Sequence, residues 1–163
     1  MPEPRQKPGH SRQDYGTPEE VLDAVLQLLR IERFSLDAAA AANNAVAHRY
    51  YTAKDDGVAH PWHETGVTWW NPPYGQCKRW ARKACSEAAL GRVSVGLIPA
   101  SVGSNWWREY VHQYAHVKFL NGRVTFVGCT APFPKDVALV IYGDPVRWPV
   151  GYDVWNWRAY VRG

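Results

Sequence analysis

Cysteine is scarce: Cys77, Cys85 and Cys129 are an odd number with no CxxC spacing. That excludes a disulfide framework and a zinc knuckle, and it suits a reducing cytoplasm. Long apolar runs are absent too, since nothing in the 163 residues approaches the ~20 apolar positions of a membrane-crossing helix. The N-terminal MPEPRQKPGHSRQD lacks the apolar core of a signal peptide, so the expectation is a protein neither secreted nor membrane-spanning. There is no internal repeat and no low-complexity tract beyond the alanines of residues 38–42. Histidines come in pairs, His60 with His63 and His112 with His116, but neither pair has a third ligand at suitable spacing, and no metal site is expected. Nor is charge extreme. A formal +4, 21% charged residues and 46% hydrophobic residues describe a globular chain of one-domain length with a mild bias toward anionic partners such as nucleic acid.

Tryptophan, by contrast, is abundant. Nine in a chain this short suit flat faces that must offer both an apolar surface and a polar edge, as binding surfaces do, although several can fill a core. Trp106 and Trp107, which follow a strand ending, are candidates for touching substrate.

Thr17-Pro18-Glu19-Glu20 has the form of a helix start, with Thr17 as cap, Pro18 at the first helical position and Glu20 completing a capping box. Val21, Ala24, Val25, Leu28 and Leu29 then recur at helical spacing up to Arg30. Phe34 to Asp37 reads as a strand whose end is Asp37, followed by a junction into a helix through Ala38 and its neighbours. His48 to Thr52 and Val67 to Trp70 read as further strands, and Lys78 to Leu90 as a helix stopped by Gly91. Val93 to Ile98 is a nearly continuous apolar strand, the pattern of one buried on both faces. Asn105 to Tyr114 fits a helix. Val117 to Leu120 and Ala138 to Tyr142 are the last strands, with Val124 to Val127 a hairpin candidate between them. The alternation predicts an α/β three-layer domain with ligands at the carboxyl ends of the strands. Residues after Asp144, including Trp148, Trp155 and Trp157, read as an irregular tail that folds back by burying aromatics.

The stretch WWNPPYGQ, residues 69–76, carries the chemistry. Two prolines cannot continue a strand and hold the chain in a fixed extended turn. An aromatic amine is a poor nucleophile because its lone pair is delocalised into the ring. A site that alkylates it must favour the geometry in which the nitrogen becomes tetrahedral. An Asn71 side-chain oxygen and a Pro72 carbonyl, both accepting from the amine hydrogens, would do that, with Pro73 keeping them aimed. Tyr74 would then stack on a base flipped out of its duplex, which is worth roughly 1–3 kcal/mol. On the helix that follows, Lys78, Arg79, Arg82 and Lys83 form two adjacent basic rows, suited either to phosphate or to solvent. Trp80 faces inward, and Cys77 reads as a packing residue.

Asn-Pro-Pro-Tyr resembles the catalytic motif of S-adenosylmethionine-dependent amino-methyltransferases. Together with Tyr15-Gly16-Thr17-Pro18, Phe34-Ser35-Leu36-Asp37-Ala38-Ala39 with Asn43 beyond, Asp55-Asp56-Gly57, Trp62, Gly122-Arg123 with Phe126, and Pro132-Phe133, it is similar to the phage-encoded DNA N6-adenine methyltransferase (Dam) family over residues 14–143. The resemblance implies a Rossmann-like three-layer fold, mostly parallel with a C-terminal antiparallel strand. It implies S-adenosylmethionine as methyl donor, double-stranded DNA as partner and an adenine-specific enzyme working in a bacterial cytoplasm, where methylation would mask phage DNA from restriction.

Asn71, Pro72, Pro73 and Tyr74 become the catalytic candidates. Tyr15, Thr17, Pro18, Asp37, Ala38 and one of Asp55 and Asp56 become the cofactor candidates, although the loop after Asp37 has alanines where many methyltransferases carry GxG. Lys78, Arg79, Arg82 and Arg123 are the DNA candidates. The expected organisation is a flexible arm over 1–13, with Arg5, Lys7 and Arg12 available to phosphates, a methyltransferase domain over 14–145, and a Trp-rich tail over 146–163 packing on it. The same turn also serves methylation of RNA or of protein glutamine, and a non-catalytic DNA-binding protein can keep the fold.

Overall fold

The computed structural model describes residues 15–41 and 43–160. The arm with Arg5, Lys7 and Arg12 lies outside the described residues, as does Ala42 of the alanine run. In chain order the elements are α1 (Glu19–Leu29), β1 (Leu36–Ala40), β2 (Tyr50–Thr52), β3 (Val67–Trp70), a 3-10 turn (Tyr74–Gln76), α2 (Cys77–Ala89), β4 (Val93–Pro99), α3 (Asn105–Tyr110), β5 (His116–Leu120), β6 (Val137–Tyr142), β7 (Gly151–Trp155) and a second 3-10 turn (Trp157–Tyr160).

The strands form one seven-stranded sheet in the order β2-β1-β3-β4-β6-β5-β7. Every pairing is parallel except those of β6 with β4 and with β5. This is the mixed, mostly parallel sheet of a Rossmann-like α/β fold. β6 is its one antiparallel strand, and a further parallel strand, β7, follows it.

Period-2 alternation along the strands builds two cores on opposite faces. Trp69, Val95, Leu97, Leu139 and Ile141 join Val21, Val25 and Leu29 of α1 on one face. Trp70, Ile98, Ala138, Val140 and Tyr142 join Trp80, Ala81 and Ala84 of α2 and Trp107 of α3 on the other. The tryptophans are mostly structural: Trp62, Trp69, Trp70, Trp80, Trp107, Trp155 and Trp157 are all buried. Trp107, a candidate for substrate contact on sequence, therefore belongs to the core, and only its half-buried neighbour Trp106 reaches the surface.

Three local expectations are overturned. Ala38 to Ala40 continue β1 instead of starting a helix, and no helix occurs among the described residues between β1 and β2. Asp37 is thus the second residue of its strand and not its end. Val124 to Val127 is not a strand, since β5 pairs with β6 and β7. The segment after Asp144 is not irregular either: Gly151–Trp155 pairs in register with His116–Leu120. Its pattern hides this, because Tyr152, Asp153 and Val154 are all exposed on an edge strand and show no alternation.

Candidate active site

The chain order reverses between β1 and β3, because β1 leads outward to β2 while β3 leads the other way to β4. In open α/β sheets such a switch point opens a crevice at the carboxyl ends of the strands. A cavity of about 640 Å³ lies there, lined by Ala38–Ala41 of β1 and its exit, by Thr52, Ala53, Lys54, Asp56 and Gly57 after β2, by Asn71 and Pro73 after β3, by Gln76, Arg79 and Trp80, and by Tyr15 and Asn44.

Asn71 directly follows β3 and is buried to 8% exposure. Its Nδ2 donates to the Tyr15 carbonyl at 2.7 Å and to Thr17 Oγ1 at 2.9 Å. A carbonyl can only accept, so the amide nitrogen must face Tyr15 and the oxygen must face away. That oxygen, Oδ1, is buried with no protein partner. Buried acceptors without donors are uncommon and call for a reason. Here the oriented acceptor belongs to a residue that lines the cavity.

Thr17 does not cap α1. The N-cap is Pro18, with no side-chain cap bond, and its carbonyl accepts from the backbone of Val21 and Leu22 at 3.1 Å each. The Thr17 hydroxyl is turned toward Asn71 instead.

Tyr74 lies beyond Asn71 in an aromatic cluster. Its ring centroid is 5.4 Å from those of Tyr15 and Phe133 and 5.9 Å from that of Phe126. Burial first, then its proximity to Cys77 and Tyr15, pushes the Tyr74 phenol well above its ordinary value, so it stays neutral and is no base. Its hydroxyl has no protein partner. Cys77 Sγ donates to the Tyr74 carbonyl at 3.4 Å, and burial pushes this thiol up to about 12, which removes it as a nucleophile.

Of the cofactor candidates, Tyr15, Ala38 and Asp56 line the cavity, whereas Thr17, Pro18, Asp37 and Asp55 are not among its lining residues. Asp55 Oδ2 accepts from both the backbone and the hydroxyl of Thr52, closing the turn after β2. Asp56 pairs with Arg79 across the cavity mouth, and that bond holds its carboxyl below the usual range.

Asp37 ties β1 to the following loop, with Oδ1 accepting from Ala39 N–H and Oδ2 from Val46 N–H. Burial raises its pKa from 3.8 to about 6 despite those two bonds. The folded state therefore holds the Asp37 proton more tightly than the unfolded state. The stability this contributes is complete below the unfolded value and is lost as pH rises through about 6. Urea titrations of the wild type and Asp37→Asn should diverge, with the wild type losing ground from about pH 4 to about pH 7 and no further change above. A pH-independent difference would place the Asp37 pKa at its unfolded value.

On α2 the two basic rows separate. Lys78 and Arg82 are exposed. The other row is neutralised, Arg79 by Asp56 and Lys83 by Glu87 at 2.7 Å. Arg123 lies in the loop between β5 and β6, exposed, with Nε 3.7 Å from Asp136 Oδ1. His112 Nδ1 lies 2.7 Å from the Tyr152 hydroxyl and His116 Nδ1 2.6 Å from the Pro149 carbonyl.

The residues that sequence reasoning missed are mainly small ones. Ala39 to Ala41 and Gly57 line the cavity; Gly57 lets the turn after β2 lie against β1, since a Cβ there would come within 1.9 Å of the Ala38 carbonyl oxygen. Asn44 holds the end of this wall, its Oδ1 accepting from Ala41 N–H at 2.8 Å.

A Rossmann-like sheet with an Asn-Pro-Pro-Tyr turn beside a switch-point cavity defines a methyltransferase-type α/β domain. The chain belongs to the DNA N-6-adenine-methyltransferase (Dam) family, whose profile matches residues 5–137. It is similar to the DNA N-6-adenine-methyltransferase of Escherichia phage T1, with 27% identity over 118 residues that cover 72% of this chain and 49% of that protein. It is also similar to the "Putative methyltransferase YfdM" of Escherichia coli (strain K12), with 35% identity over 79 residues, 43% of this chain and 85% of that protein. The chain thus spans about half the length of its phage relative.

Proposed function

We propose that this chain transfers a methyl group from S-adenosylmethionine to the exocyclic amine of an adenine flipped out of double-stranded DNA. The observation that carries this reading is the buried Asn71 Oδ1, held facing away from its own amide's partners and left without a donor. Adenine N6 carries two hydrogens and is the complementary group.

The cavity fits the cofactor. Its volume lies within the range of small-molecule sites. The alanine wall and Trp80 offer an apolar surface, and Asp56, Lys54 and Arg79 line it with charges of both signs, as a cofactor that carries a carboxylate and two positive groups requires. Asp56, with Ala38 and its neighbours, would hold the nucleoside part, and Tyr15 the side nearest Asn71.

Bound there, S-adenosylmethionine would supply an electrophilic sulfonium methyl, whose bond to sulfur breaks as the bond to N6 forms, with S-adenosylhomocysteine leaving and one N6 proton passing to solvent. Asn71 Oδ1 accepts one amine hydrogen and the Pro72 carbonyl the other, which draws the nitrogen lone pair out of conjugation and stabilises the positive charge that develops on it. Pro73 stiffens the turn, and Tyr74 meets the face of the base. Catalysis on this reading is positioning and electrostatics, with no covalent enzyme intermediate.

Lys78 and Arg82 meet DNA phosphates, while Arg79 remains engaged by Asp56. Arg123 supports the target side. Residues 14–145 are the methyltransferase domain, and of the tail that follows, Gly151–Trp155 completes its sheet while Trp155 and Trp157 join one core. The family and the phage relative favour modification of phage DNA against restriction in a bacterial cytoplasm. Among the described residues no helix is long and apolar enough to cross a membrane.

The test is incubation with methyl-labelled S-adenosylmethionine and DNA, RNA or ribosomal protein, followed by nucleoside and amino-acid analysis. N6-methyladenine in DNA is the expected product. Label in RNA or glutamine, with DNA unlabelled, would overturn the substrate assignment.

A further inference from the structure

Thr17 belongs to the segment expected to hold the cofactor, yet the bond it makes lies elsewhere. Its hydroxyl accepts from Asn71 Nδ2 at 2.9 Å, across 54 residues of sequence, while the other amide hydrogen goes to the Tyr15 carbonyl. The cavity lining includes Tyr15 and Asn71 but not Thr17. We infer that Thr17 is a positioning residue for Asn71, acting on the methyl-transfer step through the amide and not by contact with the cofactor. This rests on the methyltransferase reading given above.

An Asn amide turned by 180° presents a donor where it had an acceptor. Facing an adenine amine, which is itself a donor, the turned amide is useless. The Tyr15 carbonyl excludes the turned state, because Oδ1 would then oppose another carbonyl oxygen. It leaves the second amide hydrogen unsatisfied, however, in a residue that is 8% exposed. Thr17 Oγ1 takes up that hydrogen and fixes the plane of the amide. Two donated hydrogens also polarise the amide, which strengthens Oδ1 as an acceptor.

The geometry explains why the TP pair ends where it does. Pro18 keeps Thr17 out of α1, and the backbone at Pro18 is extended with ψ 145°. A Thr17 hydroxyl spent on capping would be lost to Asn71. Its absence from the cap costs α1 a side-chain bond, which the Pro18 carbonyl and two acidic residues in the first turn, Glu19 and Glu20, partly offset.

Thr17→Val keeps the shape and removes the acceptor. Its kcat should fall about 10- to 100-fold, the effect of one buried donor left unsatisfied. S-Adenosylmethionine affinity by calorimetry should not change, and Thr17→Ser should restore most of the rate. In an Asn71→Ala background the valine substitution should have no further effect, since its route of action is gone. A weakened cofactor affinity with kcat intact would make Thr17 a cofactor contact and overturn the inference. Equal losses in the valine and serine variants, or additivity with Asn71→Ala, would also overturn it.

A second readout does not depend on turnover. In 15N-labelled protein without cofactor, the Asn71 side-chain amide hydrogens should exchange slowly with solvent in the wild type and Thr17→Ser and quickly in Thr17→Val. Slow exchange in all three sinks the positioning role. A wild type that shows this protection but yields no N6-methyladenine instead fails the methyltransferase reading while leaving the Thr17–Asn71 link standing.

Discussion

Asn71→Ala should lower kcat for adenine methylation by about 10²- to 10³-fold, the usual effect of deleting one preorganised polar group at a reacting centre. The substitution removes a buried, unpaired acceptor that is oriented from behind, on a residue that lines the cavity. The Pro72 carbonyl and the stacking face of Tyr74 persist, so residual activity is expected and not complete loss.

Asn71 lines the cavity, but both amide hydrogens go to Tyr15 and Thr17 and its oxygen to the adenine, so the affinity for S-adenosylmethionine should change little. Steady-state kinetics with calorimetry measure the two separately. The alanine variant also leaves the Tyr15 carbonyl without its donor, with a stability loss of about 1–3 kcal/mol. Assays belong well below its melting temperature. Unchanged kcat in a folded Asn71→Ala would remove Asn71 from the chemistry.

Gly96→Ala should be among the most damaging substitutions for the fold. Gly96 sits in β4 directly beside Trp70 of β3. A Cβ there would come within 2.5 Å of Trp70 Cε2 and Cζ2 and 2.7 Å of Cδ2. The ring has nowhere to go: Trp70 is 0% exposed, with the rings of Trp62 and Tyr142 at 6.2 and 6.1 Å and its Nε1 bonded to Ser94 Oγ at 3.2 Å. Overpacking of this kind costs about 3 kcal/mol at the upper end of its usual range. For a domain of this size that lowers Tm by about 6–12 °C.

Because Asn71 follows Trp70, the displaced ring also moves the turn, and activity should fall along with stability. Adding Trp70→Leu makes room for the methyl group, so the double variant should lose less than the sum of the two single losses. Additive losses in thermal melts would mean that the two residues do not compete for space.

Much of this molecule is legible without coordinates because the determining physics is local. Pro72-Pro73 cannot extend β3, and the turn lies where the sequence puts it. The nearly continuous apolar run over residues 93–98 has the pattern of a strand covered on both faces, and β4 is that strand. The stripe from Val21 to Leu29 forms α1, ending at an Arg30 with φ 55°. Motif spacing pointed to the family that its profile then matched.

Other features were misread where a residue's partner lies far along the chain. Thr17 has the local form of a helix cap, but a hydroxyl makes the bond the fold offers, and the fold offers Asn71 Nδ2. Asp37 reads as a strand end because an acid in mid-strand is unfavourable. Its exposure is nevertheless only 3%, because Ala39 and Val46 supply backbone donors. The tryptophans read as a binding face by type, and only packing against two faces of one sheet assigns most of them to the cores. β7 carries no alternation because successive residues Tyr152, Asp153 and Val154 are exposed, whichever face of the sheet they take.

By itself the sequence determined most of the element types, the rigid turn and the family, because each is read from short motifs of neighbouring residues. Tertiary structure alone decided which way the Asn71 amide faces, which acids reach the cavity and which basic residues remain unneutralised. Those outcomes depend on hydrogen bonds and ion pairs between groups that only folding brings within about 3 Å of each other.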